Sequence, residues 1–338
     1  LNNNRLHLNR FLATGVGSLP FTDPRQACDL VFGHFKDDIP FWPQLPKRNF
    51  KENMYAQFSE RIPGVTIDEA AKEIFINSAK DTYTQELEAV YERYLADDVE
   101  YFSVGEDYAG GLYEFIQHPQ PRIKYPFVKG QIIGPISFGL TVTDQNKKAS
   151  IYNQEFCDCL MKSLAMRARW QVHKLQIANR QSQIIIFIDE PYLVSVGSTF
   201  FNISAQSVVN MLNEMVEAIH KEKAFAGIHC CGNTDWGMVL RSKIDILNFD
   251  AYNYLETIFL YRKELNDFLK RGGILAWGIV PTAAADTLPG IQVLLEKIGG
   301  SPDGYGLITP SCGLSGVPAK RAEEILVLSA QLSKRLSA

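Results

Sequence analysis

Cysteine is scarce in this chain: six in 338 residues are too few for a disulfide framework. Cys230 and Cys231 are adjacent, and Cys157 and Cys159 sit in a helix-like stretch, so a reducing compartment fits best. No apolar run approaches the roughly 18 to 20 residues of a membrane helix. The best, Ile184 to Ile188, stops at once in Asp189-Glu190. No block of lysine and arginine appears, and 34 basic against 38 acidic residues leave a formal charge of −4, which argues against a nucleic-acid partner. The glycines form neither G-x-G-x-x-G nor a Walker loop, which weakens any nucleotide reading. Leu1-Asn2-Asn3-Asn4 lacks the charged region, apolar core and cleavage site of a signal peptide. The expectation is a cytoplasmic protein with no membrane partner.

What the sequence has in quantity is alternation. Short β-like runs and helix-length amphipathic segments follow one another along nearly the whole chain, the pattern of parallel strands joined by helical crossovers. The candidate strands are Leu12 to Ser18, Val99 to Val104, Phe127 to Ile133, Ile184 to Ile188, Ala226 to Cys231, Ile244 to Phe249, Ile274 to Val280 and Gly306 to Thr309. Helices are expected over Asp23 to Phe35, Ala79 to Leu95, Ser150 to Asn179, Ala205 to Lys221, Thr257 to Arg271, Leu288 to Ile298 and Pro318 to Leu336. This predicts an α/β fold, one (β/α)8 TIM barrel domain over residues 1–338, with a doubly wound sheet as the alternative. The surplus over a minimal barrel falls after the first strand, where Asp37 to Gly64 is expected as an insertion able to cover the mouth. Its proline-fenced aromatics, Phe41 and Trp42, are read as static packing, with a stacking lid over a flat cofactor as the alternative.

The fifth candidate strand ends in Gly227-Ile228-His229-Cys230-Cys231-Gly232-Asn233. Side chains alternate along a strand, so His229 and Cys231 share a face and Cys230 points away. Asp250 closes the sixth strand and Cys312 follows the eighth, each at a C-terminal end, where barrel enzymes build their sites. Imidazole, thiolate and carboxylate together suit Zn²⁺ with one position open to substrate. By local spacing alone, a buried histidine beside two small apolar cysteines is the competing explanation.

His229-x-Cys231, an acidic residue about twenty positions on and a late Cys312-Gly313-Leu314 resemble the metal site of the catalytic barrel of cobalamin-independent methionine synthase, within the superfamily that also holds uroporphyrinogen decarboxylase. Other landmarks follow in the family's order. Thr14-Gly15-Val16-Gly17-Ser18-Leu19-Pro20 looks like the first-strand segment whose Gly-Ser holds the amino-acid substrate, which places Gly17 and Ser18 on it. Gly105-Glu106-Asp107 resembles the segment carrying a substrate-binding glutamate, here Glu106, and Val128-Lys129-Gly130 to Gly134-Pro135 resembles the third-strand signature. Ile188-Asp189-Glu190-Pro191 looks like the Asp-Glu-Pro that grips the substrate ammonium group. Read without the resemblance, the same triplet is a helix start, and Glu106 is a solvated turn acid.

The resemblance implies a zinc-dependent methyltransferase acting on a small thiol, homocysteine first. His229, Cys231 and Cys312 are its permanent ligands, Asp250 is a fourth or displaceable one, and Asp189 and Asp250 are the carboxylates assigned to catalysis. Asp189, Glu190, Glu106, Gly17 and Ser18 are expected on the substrate. Three departures bear on the donor. The family's metal-site glutamate is Asp250 here, no histidine follows His229 to serve as proton donor near Gly278 to Ala285, and 338 residues leave no room for a second, folate-binding barrel. A methyl group on cobalt leaves without protonation, so a methylcorrinoid, free or on a corrinoid protein docked over Asp37 to Gly64, is the expected donor. The alternatives are a uroporphyrinogen decarboxylase-like enzyme and a non-catalytic, metal-stabilised barrel that binds a small molecule.

Overall fold

The computed structural model describes residues 6, 8–119, 125–179, 181–198, 202–283, 287–299 and 305–338. Ten strands occur among them: β1 (Phe11–Ala13), β2 (Val65–Asp68), β3 (Glu73–Ile76), β4 (Phe127–Ile133), β5 (Thr143–Asp144), β6 (Gln183–Asp189), β7 (Phe225–Cys230), β8 (Ile246–Phe249), β9 (Ile274–Val280) and β10 (Gly306–Pro310). Seven of these form one parallel sheet in the order β1-β10-β9-β8-β7-β6-β4, while β2, β3 and β5 make a small separate sheet.

The period-2 pattern divides the sheet's side chains between two cores. Ile185, Phe187, Ile246, Ile274 and Leu307 join Leu12, Ile39 and Phe127 on the concave side. Their chain neighbours Ile184, Ile186, Ile188, Ile228, Cys230, Leu247 and Phe249 pack into the larger core shared with the helices. Apolar burial on both faces is why these strands read as near-continuous hydrophobic runs.

Several expectations change. The candidate second strand, Val99 to Val104, contains a 3-10 helix, Val99–Phe102, because the Asp98 side chain accepts the Tyr101 N–H and turns the chain locally. The gap between β1 and β4 is instead closed by the proline-rich segment from Ile39 to Gln44. Ile39 N–H donates to Ala13 O and Gln44 N–H to Gly17 O, both at 3.0 Å, while on the other side Lys129 N–H donates to Pro40 O at 2.9 Å and Trp42 N–H to Lys129 O at 3.3 Å. The seven-stranded sheet thus curls back on itself through this segment, consistent with a TIM-like barrel. Pro40 and Pro43 lack donors, so the segment makes isolated bridges rather than a regular ladder.

The stretch read as an insertion therefore begins inside the wall. Asp38 to Leu45 is buried throughout, which removes that part of Asp37 to Gly64 from any face on which a corrinoid protein could dock. Phe41 and Trp42 are fully buried, and the Trp42 indole donates to Gln171 Oε1 at 2.8 Å, as packing requires and a mobile lid does not. The helix expected over Thr257 to Arg271 is broken: Ala251–Ile258 and Arg262–Lys270 are joined by a 3-10 turn. Among the described residues, no helix is long and apolar enough to cross a membrane.

If the Ile39 to Gln44 segment is a wall element, Phe41→Ala should lower unfolding free energy by about 3–5 kcal/mol in a urea titration. Truncating Phe259, which is 44% exposed, should change it by no more than about 0.5 kcal/mol. Equal small losses at the two positions would show that the segment does not bear on the wall.

Candidate metal centre

Asp189, His229 and Asn248 are register partners across β6, β7 and β8. Neighbours in register on a parallel sheet face the same way, and these three continue the concave row begun by Phe187 and Ile246. Cys231 lies two residues beyond His229 on the same face, whereas Cys230 packs in the outer core. Cys312 comes from the turn after β10, where the ladder with β9 shifts register between Thr309 and Pro310. The ligand atoms of His229, Cys231 and Cys312 all lie within 4.8 Å of one another.

Hydrogen bonding fixes how the imidazole is presented. Asn248 Nδ2 donates to Ala276 O at 2.9 Å and to Thr309 Oγ1 at 2.8 Å, which uses both its hydrogens. Its Oδ1 is therefore left to accept, and His229 Nδ1 stands 2.6 Å away. The ring proton is held on Nδ1, and Nε2 keeps its lone pair. That Nε2 is buried and has no hydrogen-bond partner. Between the sulfurs, hydrogen bonding from Cys231 pulls the Cys312 thiol well below the usual range and pushes Cys231 above it. A buried lone pair with no partner beside a ready thiolate and a second cysteine is a donor set that fits Zn²⁺. The tautomer-fixing amide is the outer-shell partner such a histidine uses.

Asp250 stands outside this trio. It caps the helix Ala251–Ile258, with Oδ1 accepting the Asn253 N–H at 2.9 Å and Oδ2 the Asn253 side-chain amide at 2.7 Å. Burial, with Cys312 nearby, holds its carboxyl above the ordinary range.

The other expected residues fall in different places. Asp189 is 6% exposed, and its Oδ1 has no partner. Burial raises its carboxyl against the pull of His229 and Lys129. Ser18 lies against the Cys312 turn: Leu314 N–H donates to Ser18 O at 2.9 Å, and a Cβ on Gly313 would meet Ser18 Oγ at 2.3 Å. Gly17 has φ +156° and is wedged where a Cβ would meet Gln44 Oε1 at 2.7 Å and Gln131 at 2.8 Å. Glu190 is turned elsewhere, its two oxygens accepting the Ile136 and Ser137 N–H groups at 2.9 and 2.7 Å. Glu106 is exposed in the turn before the helix Gly110–Gln117.

Two residues of the site carry no role in the sequence reading. Asn248 is one. The other is Lys129, 1% exposed, whose ammonium donates to Val16 O at 2.6 Å and Gln131 Oε1 at 3.0 Å and lies 4.9 Å from the Phe187 ring centre. Burial lowers its pKa, opposed by the charge of Asp189. A signal was present for both: a polar side chain inside a buried, mostly apolar strand, on the face of the candidate ligands.

No protein-family model matches the sequence, and no curated protein matches it significantly. Among solved structures, a B12-independent methionine synthase from Shewanella sp. W3-18-1, determined in complex with selenomethionine, superposes with a TM-score of 0.58. The match covers 96% of this chain and 98% of that one, at 17% identity. The two share a fold.

Removing either sulfur, as Cys231→Ser or Cys312→Ser, should abolish stoichiometric zinc by metal analysis, while Cys230→Ala should retain it. Asn248→Ala should weaken zinc about 10- to 100-fold in a chelator competition, because the imidazole would lose its fixed tautomer. Unaltered affinity would mean that something other than Asn248 orients the ring.

Proposed function

We propose that this chain is a zinc-dependent methyltransferase that methylates a small thiol, homocysteine first. The observation that carries the reading is the buried, unpartnered Nε2 of His229, a residue whose ligand atom lies within 4.8 Å of the sulfurs of Cys231, two residues on, and of Cys312, after a distant strand. The structural neighbour supports it, being named a methionine synthase and holding selenomethionine, the selenium counterpart of a methylated homocysteine. Zinc, when bound by His229, Cys231 and Cys312, would supply the charge that keeps a coordinated substrate thiol deprotonated at neutral pH.

The remaining work falls to the chain's own groups. Asp189 offers an unpartnered, buried carboxylate oxygen to a substrate ammonium group beside His229. The Gly17-Ser18 backbone, next to the Cys312 turn, faces the substrate carboxylate, and Glu106 acts from the rim. Glu190 stiffens the floor by holding the start of the helix Pro135–Thr141. Asp250 serves as a fourth or displaceable ligand only by giving up Asn253.

The donor follows from what can protonate a leaving group. Between Gly278 and Ala283 the one hydroxyl, Thr282, lies 3.2 Å from Ser311 Oγ, and no ionisable side chain stands there. Tyr252 sits under the Lys297 ammonium, 4.9 Å from its ring centre, and Asp286 lies outside the described residues. A methyl group on a folate nitrogen needs a proton from such a group and one on cobalt does not; on that ground alone we take a methylcorrinoid as the donor, although the structural neighbour is named B12-independent.

Calorimetry with homocysteine and with 2-aminobutyrate, which lacks the sulfur, tests the thiol. Homocysteine should bind the zinc-loaded protein at least tenfold more tightly, and equal affinities would remove the metal centre from recognition. Charge-assisted contacts are worth about 1.5–3 kcal/mol, so Asp189→Ala should weaken homocysteine roughly tenfold or more. Methylcobalamin should yield methionine where methyltetrahydrofolate does not. Turnover with the folate alone would refute the choice of donor and leave the thiol assignment standing.

A further inference from the structure

Strand β4 carries Lys129, and its side chain reaches the chain that follows β1, 113 residues away in sequence. The ammonium donates to Val16 O at 2.6 Å and to Gln131 Oε1 at 3.0 Å, and Gln131 in turn donates to Trp42 O at 2.9 Å. Gln131 is also one of the two side chains that a Cβ on Gly17 would strike. Lysine and glutamine together grip the turn Val16-Gly17-Ser18 from the β4 side.

The backbone groups of that turn show the consequence. All three of its carbonyls are committed: Val16 O to Lys129, Gly17 O to the Gln44 N–H at 3.0 Å and Ser18 O to the Leu314 N–H at 2.9 Å. Among the described residues, neither the Gly17 N–H nor the Ser18 N–H has an acceptor. Two successive free N–H groups, on a turn whose carbonyls are all held elsewhere, form a nest that suits an anion. The holds on Gly17 and Ser18 come from main-chain N–H groups and do not depend on which side chains stand there. The hold on Val16 rests on Lys129 alone. An apolar side chain in its place would leave the buried Val16 carbonyl without a donor, and the turn would shift to find one.

We infer that Lys129 is a positioning residue: it sets the Val16-Gly17-Ser18 turn to receive the carboxylate of the substrate, and so selects an amino acid among small thiols. The inference deepens the function proposed above and rests on its assignment of the Gly17-Ser18 backbone to the substrate carboxylate. Lys129 acts through the turn and does not itself touch the substrate. The competing role for its ammonium is support of Asp189, which is within its electrostatic reach and is assigned to the substrate amine. That role would act alike on every aminothiol.

Homocysteine and 3-aminopropane-1-thiol share the thiol and the amine and differ in the carboxylate, so the ratio of their affinities for the zinc-loaded chain, by calorimetry, reads the turn. The wild-type chain should prefer homocysteine about tenfold or more, as a charge-assisted contact gives. Lys129→Met should cut that preference about fivefold or more, because the turn loses its only donor to Val16 O, with zinc stoichiometry and the affinity for 3-aminopropane-1-thiol unchanged. An undiminished preference overturns the inference, and so does an equal loss of both thiols, which would place the lysine's effect on Asp189 or the metal. Equal binding of the two by the wild-type chain overturns it as well and leaves the thiol reading standing, whereas binding of neither refutes that reading and the inference with it. Should Lys129→Met not fold, Lys129→Gln takes its place, being uncharged and too short to reach Val16 O, and an undiminished preference there overturns the inference.

Discussion

A parallel sheet that does not close leaves two rows of unpaired backbone groups, and the need to satisfy them governs the rest of this molecule. Here β1 and β4 are the two rows, and the segment from Ile39 to Gln44 serves both. The consequences run into the site. Gln44 O accepts the Leu19 N–H at 2.9 Å, and its side chain bonds Gln57 at 2.6 Å, so the chain on either side of Ser18 is pinned before Ser18 meets the Cys312 turn. Lys129 makes the closure twice, its backbone bonding Pro40 and Trp42 and its ammonium reaching Val16 O. Site and wall are held by the same residues.

Inside that wall polarity changes with height. Low on the concave face Phe127, Ile185, Phe225, Ile246 and Ile274 exclude water. Beyond them Asp189, His229 and Asn248, and level with Ile185 and Phe187 the side chains of Lys129 and Gln131, are all buried yet polar or charged. Burying an ion costs several kcal/mol unless partners and an opposite charge offset it. Lys129 has two oxygen partners and two aromatic faces, and it draws on Asp189. His229 has Asn248. Of these five, one oxygen of Asp189 and one nitrogen of His229 keep unmet bonding capacity, and the two residues are neighbours in register. Unmet bonding capacity at two adjacent points of a rigid, dry wall is what a binding site requires.

Much of this was legible in the sequence, for reasons that differ by element. Strands β4 and β6 to β10 stand within a residue or two of their expected places, because a strand buried on both faces must be a continuous apolar run. The trio of His229, Cys231 and Cys312 was visible from alternation and from its position at strand ends. The second wall position was not. Ile39 to Gln44 has two prolines and no period-2 pattern, while Val99 to Val104 has the β-branched and aromatic residues of a strand but follows an aspartate that turns it. Glu190 could not be placed either, since its partners Ile136 and Ser137 are more than fifty residues away. Asn248 needed three strands in register before its two donors and one acceptor had defined partners.

Two adjacent pairs show how alternation assigns chemistry. Cys230 and Cys231 are chemically identical, yet one packs among Ile228 and Phe249 with its thiol pushed up to about 12 by burial, and the other meets Cys312. Asp189 and Glu190 differ by one methylene, yet Asp189 faces His229 with a free oxygen while Glu190 is saturated by backbone N–H groups at a helix start. In each pair the residue facing inward at the strand's end belongs to the candidate site and its neighbour packs or bonds into the surrounding wall. A slip of one residue in β6 or β7 would exchange those roles and place a helix-capping carboxylate or an inert thiol in the site. The register of Ile185 to Asp189 against Phe225 to His229 seats the Phe187 ring over Gly227, where a Cβ would meet it at 2.8 Å, and that large-against-small fit makes the slip unfavourable.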